Sequence, residues 1–206
     1  MSTSARWTLA VLAVIAVVIA ALALQLREPS PKTTSELSAP TPTADLAALR
    51  DRAGLPRCPP DLSGAGPKAL QGVTVQCLAD GTSVDAARAV AGRVVVLNLW
   101  AYWCAPCADE LPAMAEYQRR VGDKLTVIAV HEDDDAAAAL SRLADWRVKL
   151  PTWQDGGRRV AAALRVPNVV PTTVVLRADG SVAGILPRPF ASADEIAAAV
   201  DQTMRR

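Results

Sequence analysis

Hydrophobic positions fall into three kinds of run along this chain. The first is residues 7–26, twenty positions without a charge, bracketed by Arg6 and Arg27. At the α-helical rise such a run reaches ~30 Å, the thickness of a bilayer's hydrocarbon core. It reads as a transmembrane anchor or, since Ala21-Leu22-Ala23 forms a small-x-small site after an apolar stretch, as a cleaved signal peptide. Both readings carry the following residues across a membrane. The second kind is the short, nearly continuous apolar run expected of a strand covered on both faces: residues 94–100, broken only by Asn98, and residues 125–130. The third is the spaced pattern of amphipathic elements. A helix is expected from near Cys104 to Arg120, kinked at Pro112, and an alanine-rich helix after the acidic run 132–135, ending near Trp146. A loop follows Pro151, then a short helix over 158–164. Ser192 with Glu195 three residues on opens a closing helix over 192–204.

Turn residues organise what remains. Asp80-Gly81 lies between 73–78 and 82–84, and Asp179-Gly180 between 172–176 and 182–186, so each pair reads as a β-hairpin. Strand, helix, strand across 94–130 implies a parallel pair, and the whole is an α/β domain with a mixed central sheet. Residues 27–43 hold four prolines, three serines and four threonines, too little apolar surface to offset the entropy of ordering. A short helical pattern at 46–52 ends at Gly54. The expected organisation is therefore a cytoplasmic stub at 1–6, the anchor or signal segment at 7–26, a flexible linker at 27–57 and one domain at 58–206.

Charge narrows the function. With 22 basic and 21 acidic side chains and a net charge of +1, no field exists to hold nucleic acid. One histidine and four cysteines leave little for a histidine-rich metal site and turn attention to thiols. Cys104-Ala105-Pro106-Cys107 sits where the first buried strand gives way to a helix. A helix N-terminus favours negative charge, which lowers the pKa of the first thiol and makes Cys104 an attacking thiolate. Cys107, one turn on, can then resolve a mixed disulfide formed on Cys104. Pro106 is tolerated in a first turn. A structural zinc site would want a second pair at similar spacing, whereas Cys58 and Cys77 lie nineteen positions apart and flank the first hairpin. They read as a structural disulfide, with two buried free thiols as the alternative, and such a bond belongs in an oxidising compartment.

Trp103-Cys104-Ala105-Pro106-Cys107 after a buried strand, Val170-Pro171-Thr172 before a hairpin and Asp179-Gly180 at its tip together resemble the thioredoxin superfamily. The likeness is to its membrane-anchored extracytoplasmic branch, of the TlpA and ResA type, and spans roughly residues 70 to 205. It implies a thioredoxin-like three-layer fold with an N-terminal hairpin extension, preceded by a single transmembrane helix. It also implies that Cys104 is the exposed nucleophile, that Pro171 is a cis-proline, and that Trp103, Ala105, Pro106, Val170 and Pro171 form the surface that meets substrate. Trp103 could equally be a core residue. Asn98 stands where soluble relatives carry a buried aspartate, as is usual in the anchored branch, and Glu110 matches that branch's acidic residue. Glu110 is a candidate proton relay for Cys107, or a solvated glutamate that complements the helix dipole. His131 and the acidic residues 132–135 read as a strand end and a solvated helix cap.

The function so implied is an extracytoplasmic thiol–disulfide oxidoreductase using no organic cofactor and no metal. On family likeness it is a reductase of exported proteins, with apocytochrome c as candidate substrate and a membrane electron donor as partner. The alternatives are a disulfide-forming oxidase and a copper-delivery protein in which His131 adds a third ligand to the two thiolates.

Overall fold

The computed structural model describes residues 13, 15–21 and 42–206, and the chain divides into two compact units, Met1–Ala39 and Pro40–Arg206. In the first unit residues 15–21 are helical, with Ile15, Val17, Val18 and Ile19 exposed. Among the described residues no helix is long and apolar enough to cross a membrane. The rest of the expected anchor at 7–26, and the linker up to residue 41, lie outside the described residues.

The second unit is built on the buried runs. The run at 94–100 becomes β3 (Val95–Trp100), buried at every position, and the next becomes β4 (Thr126–His131), paired parallel to it. β6 (Thr172–Leu176) lies antiparallel on the other side of β3 and carries β7 (Val182–Leu186) as its hairpin partner. The first hairpin, β1 (Thr74–Cys77) and β2 (Ser83–Asp85), forms as expected. It does not stand apart, because the loop expected after Pro151 contains a strand, β5 (Thr152–Gln154), which pairs with β4 on one side and β1 on the other. The result is one seven-stranded sheet in the order β2-β1-β5-β4-β3-β6-β7. Three residues between Pro151 and Asp155-Gly156-Gly157 are too few to show a period.

Alternation along the strands sends side chains into two cores, one on each face. Val96, Val127 and Val175 join one core with α1 (Pro42–Ala53), α3 (Cys107–Val121), α4 (Ala136–Asp145) and α6 (Ala193–Met204). Leu97, Leu99, Ile128 and Val174 join the other with α2 (Ala86–Ala89) and α5 (Arg159–Leu164). This is the three-layer arrangement. Asp85 caps α2 by accepting from the amides of Ala87 and Arg88, and Ser192 caps α6 by accepting from that of Glu195. α1 corrects the expected linker boundary: it starts at Pro42, Ala53 is fully buried, and Leu46 and Leu49 pack on the same core. Residues 42–57 thus belong with the compact unit, not with a tether reaching to 57.

The chain also forms two disulfides. Cys58 and Cys77 are bonded, with Cα atoms 5.7 Å apart, which removes the reading of two free thiols. Cys104 and Cys107 are bonded with Cα atoms 5.4 Å apart.

Candidate active site

Register explains how distant segments meet. β3 leads into residues 101–106 and then into α3, so the Cys104–Cys107 bond lies at the carboxyl end of the central strand. β6 runs antiparallel with Thr172 opposite Leu99, so Pro171, one residue earlier, is delivered to the same end of the sheet. The Val170–Pro171 peptide bond is cis, as the resemblance implied. Strand direction therefore brings the cysteine pair and the proline loop to one end of the sheet without any sequence proximity.

α3 begins later than expected. The Cys104 amide donates to the Ala101 carbonyl, the Cys107 amide to that of Cys104, and Cys107 is the first helical residue, with Pro106 as cap. Cys104 thus sits in the turn that leads into the helix. The dipole argument for its acidity survives, because a helix of fifteen residues still directs its positive end towards that turn. Cys104 is not the exposed residue expected: both cysteines are buried, Cys104 keeping 4% of its surface exposed and Cys107 none.

Around the pair, Trp103 is 60% exposed, so it is a surface platform and not a core residue. Its indole N–H donates to Asp133 Oδ2 at 3.0 Å, which fixes the ring over the loop after β4. The Asp135 amide, with the indole adding to it, holds the Asp133 carboxyl below its ordinary pKa. Ala105 and Pro106 are exposed, Val170 is half-buried and Pro171 is buried. Val169, 45% exposed beside the cis bond, extends the apolar surface and was not singled out from sequence. Its only signal there is its place in the Val-Val-Pro triplet.

Glu110 is not solvated. It is fully buried, accepts from Asn98 Nδ2 at 2.8 Å on one oxygen, and has no hydrogen-bond partner on the other. Burial pushes its pKa up to about 7, against the opposing pull of Asn98 and the Phe190 backbone amide. Three residues apart on one helix, Cys107 and Glu110 share a face. A raised carboxyl pKa means the fold favours the neutral acid. The stability this contributes is complete below the unfolded value of about 4.5 and is lost as pH rises through about 7. Relative to Glu110→Gln, the oxidised protein should lose about 3 kcal/mol between pH 4.5 and 7.5, measured by urea unfolding. A parallel pH profile for the two proteins would refute the assignment.

Glu132 corrects the expectation of a solvated cap, while His131 is the strand end the sequence suggested. His131 ends β4 fully buried, its ring centroid 4.8 Å from that of Trp100, and its Nδ1 is 2.9 Å from Gln154 Oε1. Burial lowers its pKa. Glu132 is buried against Arg158, while Asp135 does cap α4 through the Ala138 amide. Sequence could not show this, because the burial comes from β5, the strand too short to detect. Among the described residues, no three histidine, cysteine or carboxylate side chains gather as a metal site would require.

Comparison with known proteins agrees with this geometry. The family model described as Redoxin matches residues 62–197. The chain is 30% identical over 96 residues to the thiol-disulfide oxidoreductase ResA of Bacillus subtilis, covering 46% of this chain and 53% of that protein. It thus spans about half the length of such curated relatives. Among solved structures, a secreted Mycobacterium tuberculosis disulfide oxidoreductase homologous to E. coli DsbE superposes with a TM-score of 0.57 at 25% identity, covering 66% of this chain and 98% of that one. A DsbF homologue from Corynebacterium diphtheriae gives a TM-score of 0.55 at 29% identity, covering 63% and 83%.

Proposed function

Because the chain belongs to the Redoxin family and carries the thioredoxin-like fold of ResA-type proteins, we propose that it is a thiol–disulfide oxidoreductase acting on exported proteins through Cys104 and Cys107. The observation that carries this is the bonded pair at the end of β3, with Cys104 keeping 4% of its surface exposed and Cys107 none, beside the cis Val170–Pro171 loop.

In the reducing direction the Cys104 thiolate attacks one sulfur of a substrate disulfide. A mixed disulfide forms and the first substrate sulfur leaves as thiolate, to be protonated. Cys107 gives its proton to the Glu110 carboxylate and attacks Cys104 Sγ. The enzyme disulfide closes and the second substrate sulfur departs. A carboxyl with a pKa of about 7 suits that transfer, since it holds and releases a proton near neutrality. Trp103, Ala105, Pro106 and Val170 meet the substrate chain around the sulfurs, and the cis-proline leaves a backbone edge for an extended peptide to pair with.

The domain works on the outer side of a membrane, held by residues 7–26 or released by cleavage at the Ala21-Leu22-Ala23 site. The Cys58–Cys77 bond supports an oxidising compartment. We favour a reductase, with apocytochrome c among its substrates and a membrane protein returning electrons to Cys104 and Cys107. The copper-delivery reading finds no support from His131, which is packed against Trp100 and engaged by Gln154.

Equilibrating the protein with thiol–disulfide buffers decides direction. A reduction potential near −270 mV is the expected result, and one near −120 mV would instead make it an oxidant of exported thiols. Failure to exchange with any disulfide would end the reading altogether.

A further inference from the structure

The end of β4 lies beside the end of β3, with His131 opposite Trp100, and the next residue, Glu132, donates its backbone N–H to the Trp100 carbonyl at 2.9 Å. Its side chain is only 2% exposed and points to a single cation: Oε2 receives Arg158 Nη2 at 3.1 Å and Nε at 3.2 Å. The other oxygen, Oε1, has no partner. Arg158 arrives from the turn after β5, in a left-handed backbone conformation at φ 52°, its amide bonded to the Asp155 carbonyl at 2.8 Å. That conformation is uncommon for a residue with a side chain. Its remaining nitrogen, Nη1, donates to Oδ1 of Asn168, an exposed residue two positions before Val170 of the cis bond.

A buried ion pair is poor evidence for stability, since desolvation consumes much of the Coulombic gain. What it supplies is geometry. The guanidinium is a rigid planar fork, able to hold a carboxylate with one edge and a second acceptor with the other. Here the carboxylate is fastened to the central sheet at the start of the cysteine loop, and the second acceptor belongs to the loop against which substrate lies.

We infer that Arg158 is a positioning residue, which ties Asn168 to Glu132 and so fixes the distance between the residue 168–171 loop and the Cys104–Cys107 pair. This rests on the reading above that the cis-proline loop receives the substrate backbone. The bridge touches neither sulfur, so it governs docking of a polypeptide and not thiol reactivity.

The experiment compares Asn168→Ala, Asn168→Asp and Arg158→Gln in the full-length protein. Each is assayed with a disulfide-containing polypeptide and with 5,5′-dithiobis(2-nitrobenzoic acid), a disulfide with no peptide backbone to dock. Asn168→Ala and Arg158→Gln should raise KM for the polypeptide about tenfold, the value of one hydrogen bond to a charged group. Neither should change its kcat, the rate with the small reagent or the reduction potential. Asn168→Asp, which keeps an acceptor for Arg158, should restore the wild-type KM. Because Asn168 is exposed, its pair of variants decides the matter even if Arg158→Gln fails to fold. An unchanged KM in Asn168→Ala, equal KM values for Asn168→Ala and Asn168→Asp, or a parallel loss with the small reagent would each overturn the bridge. Inactivity of the wild type with both substrates would instead overturn the proposed function, and this inference with it.

Discussion

Cys107→Ser should stop turnover after its first half. Reduced protein carrying this substitution attacks a substrate disulfide through Cys104 and then holds the substrate as a mixed disulfide, since no second thiol remains to expel it. Steady-state exchange should fall about a thousandfold or more, in line with loss of a group on which the reaction cycle depends. Covalent adducts should accumulate, visible on non-reducing gels and dissolved by dithiothreitol. Cys104→Ser should lose activity to the same degree but trap nothing, because Cys107 is enclosed by the first turn of α3 and has no exposed surface from which to attack. The asymmetry is the informative part. Adducts of equal yield on the two variants would mean that burial does not assign the roles, and the order of attack would have to be reversed or abandoned. Substrates recovered from the Cys107→Ser adducts would also identify the exported proteins on which the chain acts.

The place of the cysteine pair was readable from sequence, and the reason is local. A nearly continuous apolar run, broken only by Asn98 and followed by two cysteines three apart, predicts a strand-to-helix turn with the pair at its end. Elements whose conformation depends on neighbours were not readable in this way. β5 has three residues and exists because β1 and β4 present edges on both of its sides. Without β5, the hairpin before it reads as an extension and Glu132 reads as part of a solvated cap. The helical pattern of α1 was legible at 46–52, but Leu46, Leu49 and Ala53 make too sparse an apolar stripe to show that it packs on the domain until α4 is there to receive it. Glu110 illustrates the same limit at the site. Its spacing from Cys107 was plain, but whether it was solvated turned on Asn98 from β3 and the approach of the Phe190 amide.

Replacing Cys58 and Cys77 together with alanine should cost about 4 kcal/mol of unfolding free energy. Chain entropy supplies most of it: the bond closes a loop across a sequence separation of 19, for which the model gives ~3 kcal/mol. Removing the sulfur of Cys77 from its fully enclosed site adds ~1 kcal/mol. For a unit of this size, that lowers the melting temperature by roughly 10 °C. The site of the loss matters as much as its size. Cys77 ends β1 opposite Trp153 of β5, and the bond fastens to it the segment that leaves α1. Arg50 adds a second tie there, its Nε donating to the Leu78 carbonyl at 3.2 Å. Opening the bond should therefore loosen α1 and the first hairpin before the central strands, and amide exchange should rise in residues 42–85 while β3 and β6 stay protected. The Cys104–Cys107 exchange rate should be unchanged, because those sulfurs follow the end of β3, with β5 and β4 between that strand and the hairpin. A variant that melts within about 2 °C of the wild type, or one whose exchange rises evenly across the sheet, would show that the bond is not what holds this edge together.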